Sequence, residues 1–310
     1  LKGSDFELKF SKELGVISSY IFKGNQLLVR GFMLNLWRAP TDNDGGWGAK
    51  FDGDITKLDD QPMYIVPWES YGMDRLSSTV PKVRVKHLDS SIAITSEGKL
   101  QSDKGLSFPY TITIEVYADG EVLYDLYVLN ENTEEVLPSI PRLGGNLLMP
   151  KRFQNFQWLG RGPAHSYQDR KSSVFLGYYS NKVIDNYWPF PRPQENGNKT
   201  DTRWAALLDD KGVGMLVTGR DNLLNVSVHN YTLENLSSAQ HTYDLQDAEY
   251  VTFNVDAKQM GVGGDDSWKP RIKTPYLLKG REYRYRFAMV PVSGAKDLRK
   301  KLIRKRRPGS

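Results

Sequence analysis

The sequence predicts an all-β sandwich. Apolar and polar residues alternate with period two in several short runs, turn residues punctuate the chain at short intervals, and helical periodicity is nearly absent. The runs are, in order, Phe6-Glu7-Leu8-Lys9-Phe10, Lys82-Val83-Arg84-Val85-Lys86, Thr111-Ile112-Thr113-Ile114-Glu115-Val116-Tyr117 and Tyr283-Arg284-Tyr285-Arg286-Phe287. Alternation turns one set of side chains to a core and the other to water, so each run reads as a half-buried strand. Between the runs at 110–117 and 122–128, Ala118-Asp119-Gly120-Glu121 supplies the positive φ of a tight turn and makes an antiparallel hairpin. Leu88-Asp89-Ser90-Ser91, Ser96-Glu97-Gly98-Lys99 and Asp209-Asp210-Lys211-Gly212 read as further turns. A short helix fits near 295–303.

The chain has 310 residues, 39% hydrophobic and 25% charged, enough to bury a sizeable core. No composition shift or repeat marks a linker, so 1–310 reads as a single domain. The Pro-rich stretch at 188–197 carries a Trp and a Phe, which suits a loop packed on the body better than a tether. Without cysteine there is no disulfide framework, thiolate metal site or cysteine nucleophile, and four scattered histidines leave little for a metal cluster. No apolar run approaches the ~20 residues that cross a bilayer. The start, Leu1-Lys2-Gly3-Ser4, has neither Met nor a signal core and suggests a piece of something larger. The compartment stays open. Of the net charge of +5, seven basic residues lie within 299–307, and without them the body is slightly acidic. The basic tail at 299–310 reads as a solvated, frayed terminus, so neither nucleic acid nor membrane is expected as a partner.

Four loop segments carry unusual residues. In the first, a strand ends in Pro40 and passes into Thr41-Asp42-Asn43-Asp44-Gly45-Gly46-Trp47. Counted from Asp42, the sixth residue is Trp47 and the twelfth Gly53, which fails the calcium-loop pattern. The alternatives are an Asx-turn network and a mobile glycine loop beside a binding cleft. The second is Met260-Gly261-Val262-Gly263-Gly264-Asp265-Asp266-Ser267-Trp268. Its adjacent carboxylates would repel phosphate. In extended chain Asp265 and Asp266 also point to opposite faces, so they cannot converge as a glycosidase couple. They are expected to bond backbone amides and fix a loop that presents Trp268, a flat apolar face able to stack on a sugar. Core packing is the competing reading of that Trp. The third and fourth segments, 158–170 and 193–204, mix Arg, acidic and amide side chains with aromatics, which suits a buried hydrogen-bonded network. His165 with Asp169 or Glu195 could form a base and its orienter, though the spacing does not demand it. No nucleophile elbow is present. Four Asn-x-Ser/Thr sequons occur at Asn198, Asn225, Asn230 and Asn235, three of them in strand or hairpin sequence.

Taken together and in order, the strings at 37–44, 160–170, 193–197 and 260–268 resemble the C-terminal domain of bacterial β-galactosidases of glycoside hydrolase family 2, also found as a separate small subunit. The resemblance runs over essentially the whole chain. It implies a large antiparallel β-supersandwich, galactose mutarotase-like, beside a catalytic barrel that this chain lacks. It further implies that the catalytic glutamates, and the magnesium and sodium that family enzymes often use, belong to the barrel, so this chain has no catalytic residue, metal site or cofactor of its own. By the same resemblance Trp268 is the aromatic platform of the aglycone subsite. Asp42, Asn43, Asp44, Gly46, Asp265 and Asp266 lie in loops near the site, and Gly46 matches a glycine whose loop shifts on ligand binding in relatives. Gly45 and Trp47 depart from the usual sequence there, and His165 stands where relatives commonly carry Glu. Glu195 is assigned to structure. The implied function is completion of a retaining β-galactosidase active site acting on terminal β-D-galactosides such as lactose, in a bacterial cytoplasm or periplasm. The implied partners are the catalytic barrel domain or large subunit and the galactoside, in an oligomeric enzyme. The alternatives are a galactose-binding module and an aldose mutarotase or epimerase.

Overall fold

Alternation becomes architecture in three antiparallel sheets. A computed structural model describes residues 1–45, 64–265 and 272–303, and every strand pairing among them is antiparallel. Phe6–Ser11, Val16–Phe22 and Asn25–Leu28 form a three-stranded sheet. A five-stranded sheet has the order Lys199–Thr202, Leu224–His229, Tyr250–Gln259, Arg142–Pro150, Arg30–Asn35. Ten strands make the third sheet, running from Phe175–Lys182 at one edge through Asn155–Gly162, Trp204–Leu208, Val213–Gly219, Glu282–Ser293, Val122–Leu129 and Ser107–Tyr117 to Ser91–Gln101. There the short strands Ser77–Ser78 and Lys82–His87 both pair with Ser91–Gln101.

The five- and ten-stranded sheets close on one core. Phe32 of the smaller sheet packs against Phe287, with ring centroids 5.1 Å apart, and Phe287 stacks on Tyr124 at 4.8 Å and 4°. Phe156 and Phe253 make a second cross-sheet contact at 6.0 Å. Such sheet-on-sheet packing is what period-two strands require, because neither apolar face can be left in water. The strand Glu282–Ser293 shows the rule and its limit. At first it alternates: Tyr285 and Phe287 are buried, while Arg284 and Arg286 turn out to Asp125 and Asp221. From Phe287 onward it becomes continuously apolar, because Ala288, Val290 and Val292 are covered on the outer face by Leu298 of the helix Ala295–Ile303. Strands buried on both faces lose their alternation.

The Asp119-Gly120 hairpin forms as the sequence predicts, Gly120 sitting at φ 85° between Ser107–Tyr117 and Val122–Leu129. Two other local expectations fail. Ser96-Glu97-Gly98-Lys99 is no turn: it lies inside Ser91–Gln101, which pairs in register with Ser107–Tyr117 along its whole length. Gly98 is there because it faces Tyr110, where a Cβ would lie 2.6 Å from the phenol oxygen. The Lys82–His87 strand, at a sheet edge, is half-buried only at Val83, which packs against the core, and it leaves Val85 52% exposed. Its Lys and Arg residues protect a sheet edge. The first residues of the basic stretch, 299–303, form the end of the Ala295–Ile303 helix, and 304–310 lie outside the described residues.

Phe287 is fully buried among Tyr124, Phe32 and Tyr285. Phe287→Ala is therefore expected to cost about 3–5 kcal/mol of stability, read as a lowered midpoint in denaturant unfolding. A loss under about 1 kcal/mol would mean that the two sheets do not share this core.

Candidate functional site

The four unusual loop segments meet at one end of the sandwich, and a buried arginine joins two of them. Arg38 follows the Arg30–Asn35 strand and is fully buried. Its Nε and Nη2 donate to the Asp44 carboxylate at 3.2 and 2.7 Å, while Nη1 and Nη2 donate to the carbonyls of Met260 and Gly261 at 2.7 and 2.9 Å. Asp44 is held in turn by a reciprocal cap: its amide donates to the Thr41 hydroxyl, and the Thr41 amide donates to its carboxylate. Asn43 adds a bond from Nδ2 to the Val262 carbonyl at 2.7 Å. These bonds match the Asx-turn network, one of the two readings of this loop, with Asp44 held inside it.

A second clamp comes from the third segment. Asp169 accepts from the Val262 amide through Oδ1 at 3.0 Å and from the Gly263 amide through Oδ2 at 2.8 Å. Gly261 is required by this approach, since a Cβ there would sit 2.4 Å from Asp169 Oδ2. The chain then turns through positive φ at Gly263 and Gly264. Asp265 was expected to bond backbone amides. Its described contact is instead an ion pair with Lys273 at 2.6 Å, on a side chain 60% exposed. The amides of Val262 and Gly263 are captured by Asp169, while Asp265 projects outward.

The fourth segment locks onto the first. Gln194 accepts from the Asp42 amide and donates to the Asp42 carboxylate, both at 3.1 Å, and the Glu195 amide donates to the Ala39 carbonyl. Glu195 is buried and accepts from the Tyr167 hydroxyl at 3.2 Å and from Gln259 Nε2 at 3.3 Å. Beneath it Arg142 donates to Asp256 at 2.8–2.9 Å, with Glu195 3.9 Å from its guanidinium. Burial pushes the Asp256 carboxyl up to about 6 against the pull of Arg142. No hydrogen bond among the described residues joins His165 to Asp169 or Glu195, so the base and orienter considered from the sequence do not form. His165 instead stacks near Phe190 and Trp188, and burial, with Arg170 and Lys199 nearby, pushes it down to about 4.

Gly46, Asp266 and Trp268 lie outside the described residues. The described stretch runs to Asp265, three positions before Trp268. No group of three or more His, Cys, Asp or Glu side chains is arranged to hold a metal among the described residues. No described helix is long and apolar enough to cross a membrane. Of the four sequons, Asn198, Asn225 and Asn230 are buried. Arg38 and Arg142 were not anticipated as site residues. Arg38 stood inside the first segment, and its signal was a lone basic residue just before an acidic loop.

The fold and site define a class: an antiparallel β-sandwich whose loop end is cross-braced by buried ion pairs, Arg38–Asp44 and Arg142–Asp256. Residues 2–289 match the β-galactosidase small chain family, and the chain belongs to that family. It is 34% identical over 291 residues to a β-galactosidase of Priestia megaterium, covering 94% of this chain and 26% of that protein. It is 32% identical to one of Lactobacillus delbrueckii subsp. bulgaricus, covering 92% and 26%. The chain thus spans about a quarter of the length of these relatives. Among solved structures it is similar to a galactose mutarotase related enzyme of Lactobacillus acidophilus, at 10% identity and TM-score 0.49, covering 96% and 98% of the two chains.

Two outcomes are expected. Asp169→Ala removes the acceptor for two loop amides, so hydrogen exchange at Val262 and Gly263 should quicken at least tenfold, with about 1–3 kcal/mol of stability lost. Unchanged exchange would show that the Arg38 and Asn43 bonds hold the loop without Asp169. His229 is buried, and burial pushes it down to about 4, Glu195 opposing. Because the folded value lies below the free one of 6.5, its contribution is complete above pH 6.5 and is lost as pH falls toward 4, on the order of 3 kcal/mol. His229→Asn should therefore flatten the fall in unfolding free energy between pH 6.5 and 4. An equally steep fall in the variant would assign the acid sensitivity elsewhere.

Proposed function

We propose that this chain is the part of a β-galactosidase that completes the active site from outside the catalytic barrel. It would present Trp268 as the sugar platform of the aglycone subsite during retaining hydrolysis of terminal β-D-galactosides such as lactose. The observation that carries this reading is the double clamp of Arg38 on Met260 and Gly261 and of Asp169 on Val262 and Gly263, which fixes the backbone up to five positions before Trp268. A platform for a sugar ring is useful only if its root is rigid, since a loose aromatic loses in ordering what it gains in stacking.

The same bonds support the view that the chain is inactive alone. Retaining hydrolysis needs two carboxyl groups ~5–5.5 Å apart across the scissile bond, one to protonate the leaving oxygen and one to attack. Asp44 and Asp256 are spent on guanidinium groups, Asp169 on backbone amides, and Glu195 on a phenol and an amide. The acid and the nucleophile come, on this reading, from the barrel domain or large subunit in the remaining three quarters of the enzyme.

The lone chain is expected to give no turnover of a chromogenic galactoside, and a rate near that of complete relatives would overturn the proposal. In the complete enzyme, Trp268→Ala should lower kcat/KM roughly tenfold, a stacking loss of about 1.4 kcal/mol. An unchanged kcat/KM would remove Trp268 from the site. Heat on titrating millimolar galactose into the lone chain, abolished by Trp268→Ala, would favour a stand-alone binding module instead. Accelerated anomer exchange in a polarimeter would favour a mutarotase.

A further inference from the structure

We infer that the aromatic face formed by Trp188, Phe190 and His165 is the surface on which the remainder of a β-galactosidase packs. This rests on the proposed function, which requires such a partner, and it adds where that partner sits. Trp188 is 53% exposed, a costly state for the largest side chain. It is not an isolated ring. His165 lies 5.5 Å from it and 6.0 Å from Phe190, stacked on the latter at 15°, and Trp188 and Phe190 are 6.5 Å apart.

The face is held stiffly. Pro189, Pro191 and Pro193 interleave its residues, the Phe190 amide donates to the Trp188 carbonyl, and the Thr242 hydroxyl reaches the Phe190 carbonyl at 3.4 Å. A preformed aromatic surface has little conformational entropy left to lose on docking, and Trp is among the residues that dominate interface energies.

Continuity with the clamped loops selects this face over a second exposed apolar strip among the described residues, at Phe175, Leu176 and Tyr178. The Trp188 amide donates to Asn196 Oδ1 at 3.0 Å, and fully buried Asn196 follows Gln194 and Glu195, which hold the Asp42 loop. His165 meets Tyr167 at 5.9 Å, and Tyr167 bonds Glu195. A partner seated on Trp188 therefore rests on the same braced frame that carries the Met260–Asp265 loop, so docking there registers the partner's catalytic groups against that loop. The relatives supply the occupant. They are about four times as long as this chain, and a domain in such a protein buries part of its surface against the rest.

The test replaces the matching quarter of the Priestia megaterium β-galactosidase with this chain and compares hydroxyl-radical footprints of the chimera and the lone chain. Trp188 and Phe190 should be modified at least fivefold more slowly in the chimera, and Phe175 equally in both. If the fused chimera fails to fold, co-expression of the two parts as separate polypeptides gives the same readout. Equal labelling of Trp188 in an active chimera overturns the docking surface while leaving the proposed function intact. Protection of Trp188 in a folded but inactive chimera supports the surface and overturns the function. As a second measurement, Trp188→Ser with Phe190→Ser should split the chimera's unfolding into two transitions while moving the lone chain's midpoint by under about 3 °C. A single unsplit transition counts against the surface.

Discussion

A guanidinium buried away from the surface has to satisfy its donors locally, and at Arg38 that requirement organises the whole loop end. One edge of the group meets the Asp44 carboxylate, and the other meets the carbonyls of Met260 and Gly261. Removing any of these partners would strand a buried charge, which costs several kcal/mol, so the strand end before Asp42 and the loop after Gln259 cannot shift independently. Two stretches more than two hundred residues apart become one rigid unit. The cap on Asp44, the Asn43 bond to Val262 and the Asp169 grip on the next two amides all elaborate that first contact.

Below this brace lies a second one, Arg142 between Asp256 and Glu195, built across neighbouring strands of the five-stranded sheet. Through Tyr167 and Gln259 it is joined to the third and fourth segments. The loops are thus anchored in the sheet itself. Charged groups buried this deeply add little net stability compared with apolar packing, but they tolerate few alternative geometries. That property suits a part whose proposed task is to hold one ring and one docking face in fixed relation to a neighbour.

Much of the framework was legible in the residues. The Asp119-Gly120 hairpin, the alternation at Tyr283–Phe287 and the short C-terminal helix follow from backbone preference and side-chain period, which act over a few residues and need no knowledge of the rest. Failures occurred where a distant partner decided. Gly98 looked like a turn until Tyr110 was found lying across it. Val85 looked half-buried, but only Val83 of its strand reaches the core and Val85 is left exposed. Asp265 looked like the residue that fixes its own loop, but Asp169, almost a hundred positions earlier, holds the amides. The four segments were recognisable as unusual, yet a mixture of Arg, Asp and amide side chains does not say which carboxylate each arginine will meet.

The sequence by itself determined the class of fold, the absence of cysteine chemistry, the family and the four loops worth attention, because these depend on composition, on period and on strings of adjacent residues. Tertiary structure alone decided that Arg38 ties the first loop to the second, that Glu195 meets Tyr167 and Gln259, that His165 joins an aromatic face, and that this face shares a frame with the loop before Trp268. The physical reason is that burial and charge pairing are properties of places in space. A carboxylate's role depends on which donors the fold brings within about 3 Å of it, and no spacing along the chain specifies that.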